Sequence, residues 1–445
     1  MATGGTRDLT RGPITSGLWR FALPLMLGNL LQQCYNLADT WIVGRGIGES
    51  ALAAVGSSYS LMTFLTSLIF GLCLGCSAFF SMAKGRGDGA LLRRGAGLSF
   101  LLIGAAALML TAAVSLLTEP IMKLLNIGGD VWADCGTYLR WVFLGIPAAF
   151  LYNYFANLLR GVGNSSVPLY FLALSVVLNI LLDWLGVLML GLGVAGAAQA
   201  TVLSQYVSGI GLSLYVLRRE RELLPHRNEL CWDGGILRQL LSLSGFTCLQ
   251  QSVMNFGILM IQGLVNSYGA TVMAAFTVAV KVDTLAYMPV QDFGNAFSTF
   301  VAQNHGAGQE RRIRQGVRSA ALSVTAFCLA VSAAVFLLAP VLMGWFAGDA
   351  LTEVIRVGTG YLRIEGACYL GIGILFMLYG FYRAVELPWM SLVLTVISLG
   401  TRVGLAYALS PALGLTVIWW AIPVGWLLAD AAGIGYGLRL LRKRA

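Results

Sequence analysis

A chain of 445 residues with a mean hydropathy of +0.77 and 11% charged residues lies outside the soluble globular class. Its net charge of +9 is carried mainly in short loops, without interleaved aromatics, so topology accounts for it and a nucleic-acid partner is not expected. The eight cysteines are scattered through apolar runs, and the two histidines, His226 and His305, lie far apart, so neither a disulfide framework nor a metal site is expected.

Residues 1–17 form a short polar, basic leader in which no cleavable signal peptide is evident. Apolar runs follow at about 18–43, 51–82, 95–118, 134–159, 167–190 and 194–217. A polar, basic segment at 218–235 interrupts them. A second set occupies about 236–267, 271–303, 319–345, 354–382, 388–409 and 414–438, before a basic tail at 439–445. The runs are continuous rather than alternating, which predicts helices and excludes barrel strands. The expected fold is therefore an all-α membrane protein of twelve transmembrane helices in two six-helix lobes, 18–217 and 236–438, joined by the 218–235 linker. Pro24, Pro147 and Pro289 fall inside runs and mark expected kinks. Cys73-x-x-Cys76 has redox spacing but lies mid-span beside Gly71 and Gly75, where small packing residues are the simpler reading.

Of the 29 basic residues, 22 fall in segments on one side of this topology, whereas the opposite loops hold only Arg45 and Lys123. The bias predicts both termini in the cytoplasm of a multi-pass cell-membrane protein. The two sets also repeat each other. Lys84-Gly85-Arg86-Gly87-Asp88 matches His305-Gly306-Ala307-Gly308-Gln309, Tyr138-Leu139-Arg140 recurs as Tyr361-Leu362-Arg363, and Arg160 recurs as Arg383. Six spans per half give both halves the same orientation, so their pseudo-twofold axis is expected along the membrane normal.

An acid within a span is costly and functional by default. Asp39, Asp183 and Thr201 fall at depths that agree to within about one helical turn, and Asn179 precedes Asp183 by one turn on the same face. If they converge, close carboxylates make a proton acceptor, or the oxygens of Asp, Asp, Asn and Thr hold a hard cation such as Na⁺. The alternative is that Asp39 snorkels to the outer interface, pairing with Arg45. The second half lacks this set: counted along the repeat, Arg402 stands for Asn179 and Ala406 for Asp183. It has its own charges in Lys281, Asp283, Asp292, Arg363 and Glu365, which either bind a cationic substrate or second ion, or neutralise one another. Tyr35, Phe155, Met254, Tyr287 and Met288 are candidates, with Asp283 and Glu365, for the lining of a substrate chamber.

The chain resembles bacterial multidrug and toxic compound extrusion (MATE) transporters over nearly its whole length. The resemblance is carried by Leu23-Pro24, Asn36-Leu37-Ala38-Asp39-Thr40, Leu52-Ala53-Ala54-Val55-Gly56 and Asn179-Ile180-Leu181-Leu182-Asp183. Gly193-Val194-Ala195-Gly196-Ala197-Ala198-Gln199-Ala200-Thr201, Met288-Pro289 and Gln303-Asn304-His305-Gly306-Ala307-Gly308 extend it. It implies a V-shaped pair of lobes and export of cationic or amphipathic small molecules against a proton or sodium gradient. It further implies that Asp39, Asn179, Asp183 and Thr201 are the first lobe's cation site, that Tyr138 lies nearby, and that Pro24 is where the first span bends. The match departs in the second lobe, where Ser244 replaces a recurrent proline and Asp283 and Asp292 equate with no ion position.

The expected function is thus a secondary antiporter working by alternating access. Its expected partners are the bilayer and its small-molecule cargo. No cofactor beyond the coupling ion, no enzymatic activity and a monomeric state are expected. A flippase for a lipid-linked oligosaccharide is the alternative, with Lys281 and Arg363 as cationic groups to meet pyrophosphate.

Overall fold

The computed structural model describes residues 7–46, 49–124, 127, 132–229, 232–347 and 352–443. Among them the secondary structure is helical, with no strand. The first half comprises α1 (Ile14–Gly46), α2 (Glu49–Arg86), α3 (Gly89–Leu116), the short α4 (Thr118–Leu124), α5 (Trp132–Leu144), α6 (Ile146–Gly161), α7 (Ser166–Asp183) and α8 (Gly193–Arg219). The second half comprises α9 (Gly234–Asn266), α10 (Ala270–Gly306), α11 (Glu310–Ala347), α12 (Thr352–Gly366), α13 (Tyr369–Ala384), α14 (Pro388–Leu413) and α15 (Thr416–Lys443).

Ten helical spans among the described residues are long and apolar enough to cross a membrane, or eleven when α12 and α13 count as one span. The 33-residue α1 completes the series of twelve long elements. Two predicted spans are broken. The fourth divides at Gly145 into α5 and α6, with Pro147 in the first turn of α6, where its missing N–H costs nothing. The tenth bends by 53° between α12 and α13. The faces of α3 carry a row of exposed Leu101, Leu108, Met109 and Leu116, as hydrocarbon solvent requires.

By its internal packing the chain divides into two units, Met1–Asp8 with Leu23–Cys248 and Leu9–Ala22 with Leu249–Ala445. The boundaries do not follow the linker: α1 changes unit beside Pro24, and α9 changes unit after Cys248. The start of α9 therefore packs in the first unit, where a side chain at Gly75 of α2 would strike the Leu243–Ser244 backbone. Only a glycine admits that approach.

Each unit holds one of the segments that precede these helices. In the second unit, Arg312 donates to the Arg11 and Gly12 carbonyls at 2.9 Å each, and the Leu9 N–H donates to Gln303 Oε1 at 3.2 Å. In the first, Arg93 forms a bidentate pair with Glu229 of the linker at 2.6 and 2.8 Å. That guanidinium holds the Glu229 carboxyl down at about 2, from an ordinary 4.5. The repeat also extends to core packing. The Phe79 ring fills the space over Gly95, and the Phe300 ring fills the same space over Gly316.

Candidate functional site

The first unit brings the predicted polar residues together. Asn179 and Asp183, one turn apart, end α7. The backbone then widens into a π-helix, Trp184–Met189, before α8 begins. A π segment re-aims side chains by inserting a residue into the helical ladder, and such segments concentrate at functional sites. Gly186 of that segment and Gly196 of α8 lie against each other, so a side chain at Gly196 would stand 3.2 Å from the Gly186 backbone. This close packing sets Thr201 of α8 beside Asn179, whose Nδ2 donates to Thr201 Oγ1 at 3.5 Å.

From α1, Tyr35 reaches the same hydroxyl, with 3.3 Å between the Tyr35 and Thr201 oxygens. Asp39, one turn further on, faces the Asp183 carboxyl in side-chain contact. Tyr138 of α5 lies near Tyr35 and is 9% exposed. Four helices, α1, α5, α7 and α8, thus converge on two carboxyl groups.

The site is driest at Asp183, while Asp39 and Tyr35 are half-buried. Asp183 is fully buried and Asn179 is 1% exposed. An apolar cluster of Ile42, Tyr138, Val142, Val187, Val194, Ala197 and Ala198, with Met62 and Ile180 against it, wraps the site. Both carboxyl oxygens of Asp183 and the Asn179 Oδ1 are buried without a hydrogen-bond partner. Two facing carboxylates repel each other there, and the Asp183 oxygens lack donors to satisfy them. A proton or a hard monovalent cation between them removes both penalties at once. The oxygen-only donor set suits such an ion and not a soft transition metal. Among the described residues no group of three or more His, Cys, Asp or Glu is placed to hold a metal.

The remaining candidates separate. Tyr35, read from sequence as a chamber aromatic, belongs to the acid site. Phe155 is 6% exposed among Phe100 and Tyr154, which makes it core rather than lining. Met254, Tyr287 and Met288 are half-buried on α9 and α10. Lys281 and Arg363, read as buried mid-span charges, are both exposed, and Arg363 lies 5.6 Å from the centre of the Phe336 ring. Arg45, the suggested partner of Asp39, has a side chain outside the described residues. Pro24 lies inside α1, which continues through it as one helix. The structure adds Arg402. It stands with Asp283 and Glu365 in the second unit, a grouping that no spacing in the sequence displays.

Comparison with known proteins bears on what this site serves. The MatE family model matches the chain twice, at residues 24–185 and 247–408. The probable multidrug resistance protein YpnP of Bacillus subtilis is 29% identical over 98% of this chain and 94% of its own length. The probable multidrug resistance protein YoeA of the same organism is 31% identical over 72% of this chain and 71% of its own length. A solved structure described as the outward-facing conformation of a multidrug resistance MATE family transporter superposes with a TM-score of 0.92 at 24% identity, covering 100% of this chain and 99% of that one. These names favour drug efflux over the flippase reading, and the family is one of transporters rather than enzymes. The double match also registers the internal repeat, its two segments beginning 223 residues apart. The chain is a multi-pass membrane protein and belongs to the MatE family of multidrug and toxic compound extrusion transporters.

Proposed function

We propose that this protein exports cationic or amphipathic small molecules in exchange for H⁺ or Na⁺, and that Asp39 and Asp183 bind the driving ion. The observation that carries the reading is the pair of facing carboxyls, from α1 and α7, in an apolar enclosure without a donor for Asp183. Asn179 and Thr201 supply neutral oxygens beside them, Tyr35 and Asn179 fix the position of Thr201, and Tyr138 lies beside Tyr35. The ion shifts the equilibrium between inward- and outward-open states only through unequal affinity for them. α1 is the element through which occupancy acts, because it carries Asp39 and contains Pro24, whose missing N–H weakens the helix there. The halves 18–217 and 236–438 act as the two lobes of alternating access, with both termini in the cytoplasm and the protein working as a monomer in the cell membrane.

Proteoliposomes loaded with a fluorescent organic cation test this reading when H⁺ and Na⁺ gradients are imposed one at a time. Wild-type efflux follows one of the gradients, and Asp183→Asn loses that dependence. Undiminished gradient-driven efflux by Asp183→Asn would refute the assignment.

A further inference from the structure

The second unit holds a pocket that the proposed ion site does not use, and the chain's own leader occupies it. Leu9 is the one large apolar residue between Met1 and Ile14, and it is 3% exposed. Burying it takes a peptide group out of water, and both polar ends of that group are met. Its N–H donates to Gln303 Oε1 at 3.2 Å. Its carbonyl accepts from Asn304 Nδ2 at 3.1 Å and from Arg312 Nη2 at 3.3 Å. The same guanidinium donates to the Arg11 and Gly12 carbonyls, so one side chain gathers three carbonyls of the leader. Gln303 and Asn304 are themselves buried.

The fastening continues into α1. Thr15 and Trp19, one turn apart, meet Ser319 and Ser323, one turn apart on α11. The Thr15 and Ser319 hydroxyl oxygens are 2.7 Å apart, and Trp19 Nε1 donates to Ser323 Oγ at 3.2 Å. The Trp19 ring lies 5.1 Å from that of Phe293 on α10. The chain leaves this unit at Ala22, just before Pro24, and Asp39 belongs to the other unit. The pocket has no copy in the repeat. In the register that matches Lys84 with His305, Met82, Ala83 and Leu91 stand for Gln303, Asn304 and Arg312. The shared scaffold therefore does not require it.

We propose that Gln303, Asn304 and Arg312 form a permanent anchor for the start of α1, closed in every conformation of the transport cycle. A helix free at both ends answers a local push by moving as a body. A helix held at one end bends at its weakest turn, here the turn around Pro24, where a backbone hydrogen bond is missing. The anchor makes ion occupancy at Asp39 appear as bending rather than as displacement of the whole helix. The three side chains are thus positioning residues for coupling, a role that rests on the proposed reading of Asp39.

Two variants test the anchor. Asn304→Ala/Arg312→Gln opens it. Ion binding to the purified protein stays as in wild type, while gradient-driven efflux of a fluorescent organic cation from proteoliposomes falls roughly tenfold. Thr15→Cys/Ser319→Cys, oxidised with copper phenanthroline, closes it covalently, with the single-cysteine variants as controls. The cross-linked protein transports as well as the same sample after reduction, because an anchor never opens. In the Asn304→Ala/Arg312→Gln background the disulfide restores efflux, and dithiothreitol removes the gain. Efflux blocked by the disulfide overturns the proposal, as does full efflux by Asn304→Ala/Arg312→Gln or a disulfide that restores nothing there. The cross-link in otherwise wild-type protein carries the test if the pocket variant does not fold. Failure of the first-half reading shows instead as undiminished efflux by Asp183→Asn, whatever the disulfide does.

Discussion

The two halves share an architecture and differ in where they keep a positive charge. In the first, Asp39 and Asp183 face each other beside the neutral Asn179, and Asp183 has no donor within reach. In the second, the position of Asn179 is taken by Arg402, and two relocated acids gather near it. The packing between helices did not change in step, since Phe79 over Gly95 and Phe300 over Gly316 are the same contact twice. A duplicated membrane scaffold can therefore hold its helix–helix contacts while the polar groups buried in each half diverge. Burying carboxyls is costly in both halves, and each half meets that cost with different neighbours.

The comparison breaks most directly at the acids. Asp183→Asn and Asp39→Asn remove the exchangeable ion, and gradient-driven efflux in proteoliposomes falls by roughly 5–150-fold, the range of a coupling free energy of this kind. Glu365→Gln lies outside the first-half acid pair and retains gradient dependence in the same assay. Arg402→Gln acts on stability instead. It removes the positive charge that acts on two buried acids and lowers unfolding stability, read as a lower Tm in detergent without added Na⁺. Arg402→Lys recovers most of that loss.

The shared packing sharpens the contrast. Gly95→Ala and Gly316→Ala each force a buried phenylalanine ring to move, and each costs about 1–3 kcal/mol. Their Tm shifts match within error, in contrast to the unequal effects at the polar sites. The smallest effect lies at the linker. Glu229, held at about 2 by Arg93 against an ordinary 4.5, contributes to docking of the linker above pH 4.5. That contribution is lost as pH falls through about 2. Amide exchange across 226–229 therefore rises in that acid window, and Glu229→Gln raises it at neutral pH.

Much of the first-half site was legible because membrane spans make polar residues conspicuous. Asp39, Asn179, Asp183 and Thr201 stand out against apolar runs, and counting along helices puts them at one depth. The repeat was legible from recurring pairs such as Tyr138 and Tyr361. What could not be read was geometry that depends on departures from a straight helix. The π segment after Asp183 and the 53° break between α12 and α13 have no compositional mark. Arg363 and Glu365, two residues apart on α12, point about 200° apart around the helix, which is why they differ so sharply in burial. Periodicity also gives no warning that α1 and α9 each change unit partway along their length. The repeat makes Arg402 the counterpart of Asn179, but its relation to Asp283 and Glu365 spans three helices and emerges only in the packed unit.

Direct counting of bound cations tests the central claim most sharply. Purified protein is titrated with Na⁺, and with protons by following their release on Na⁺ addition, for wild type and Asp183→Asn side by side. The account predicts one exchangeable cation per wild-type chain and none in Asp183→Asn. Binding that survives unchanged in Asp183→Asn would contradict it.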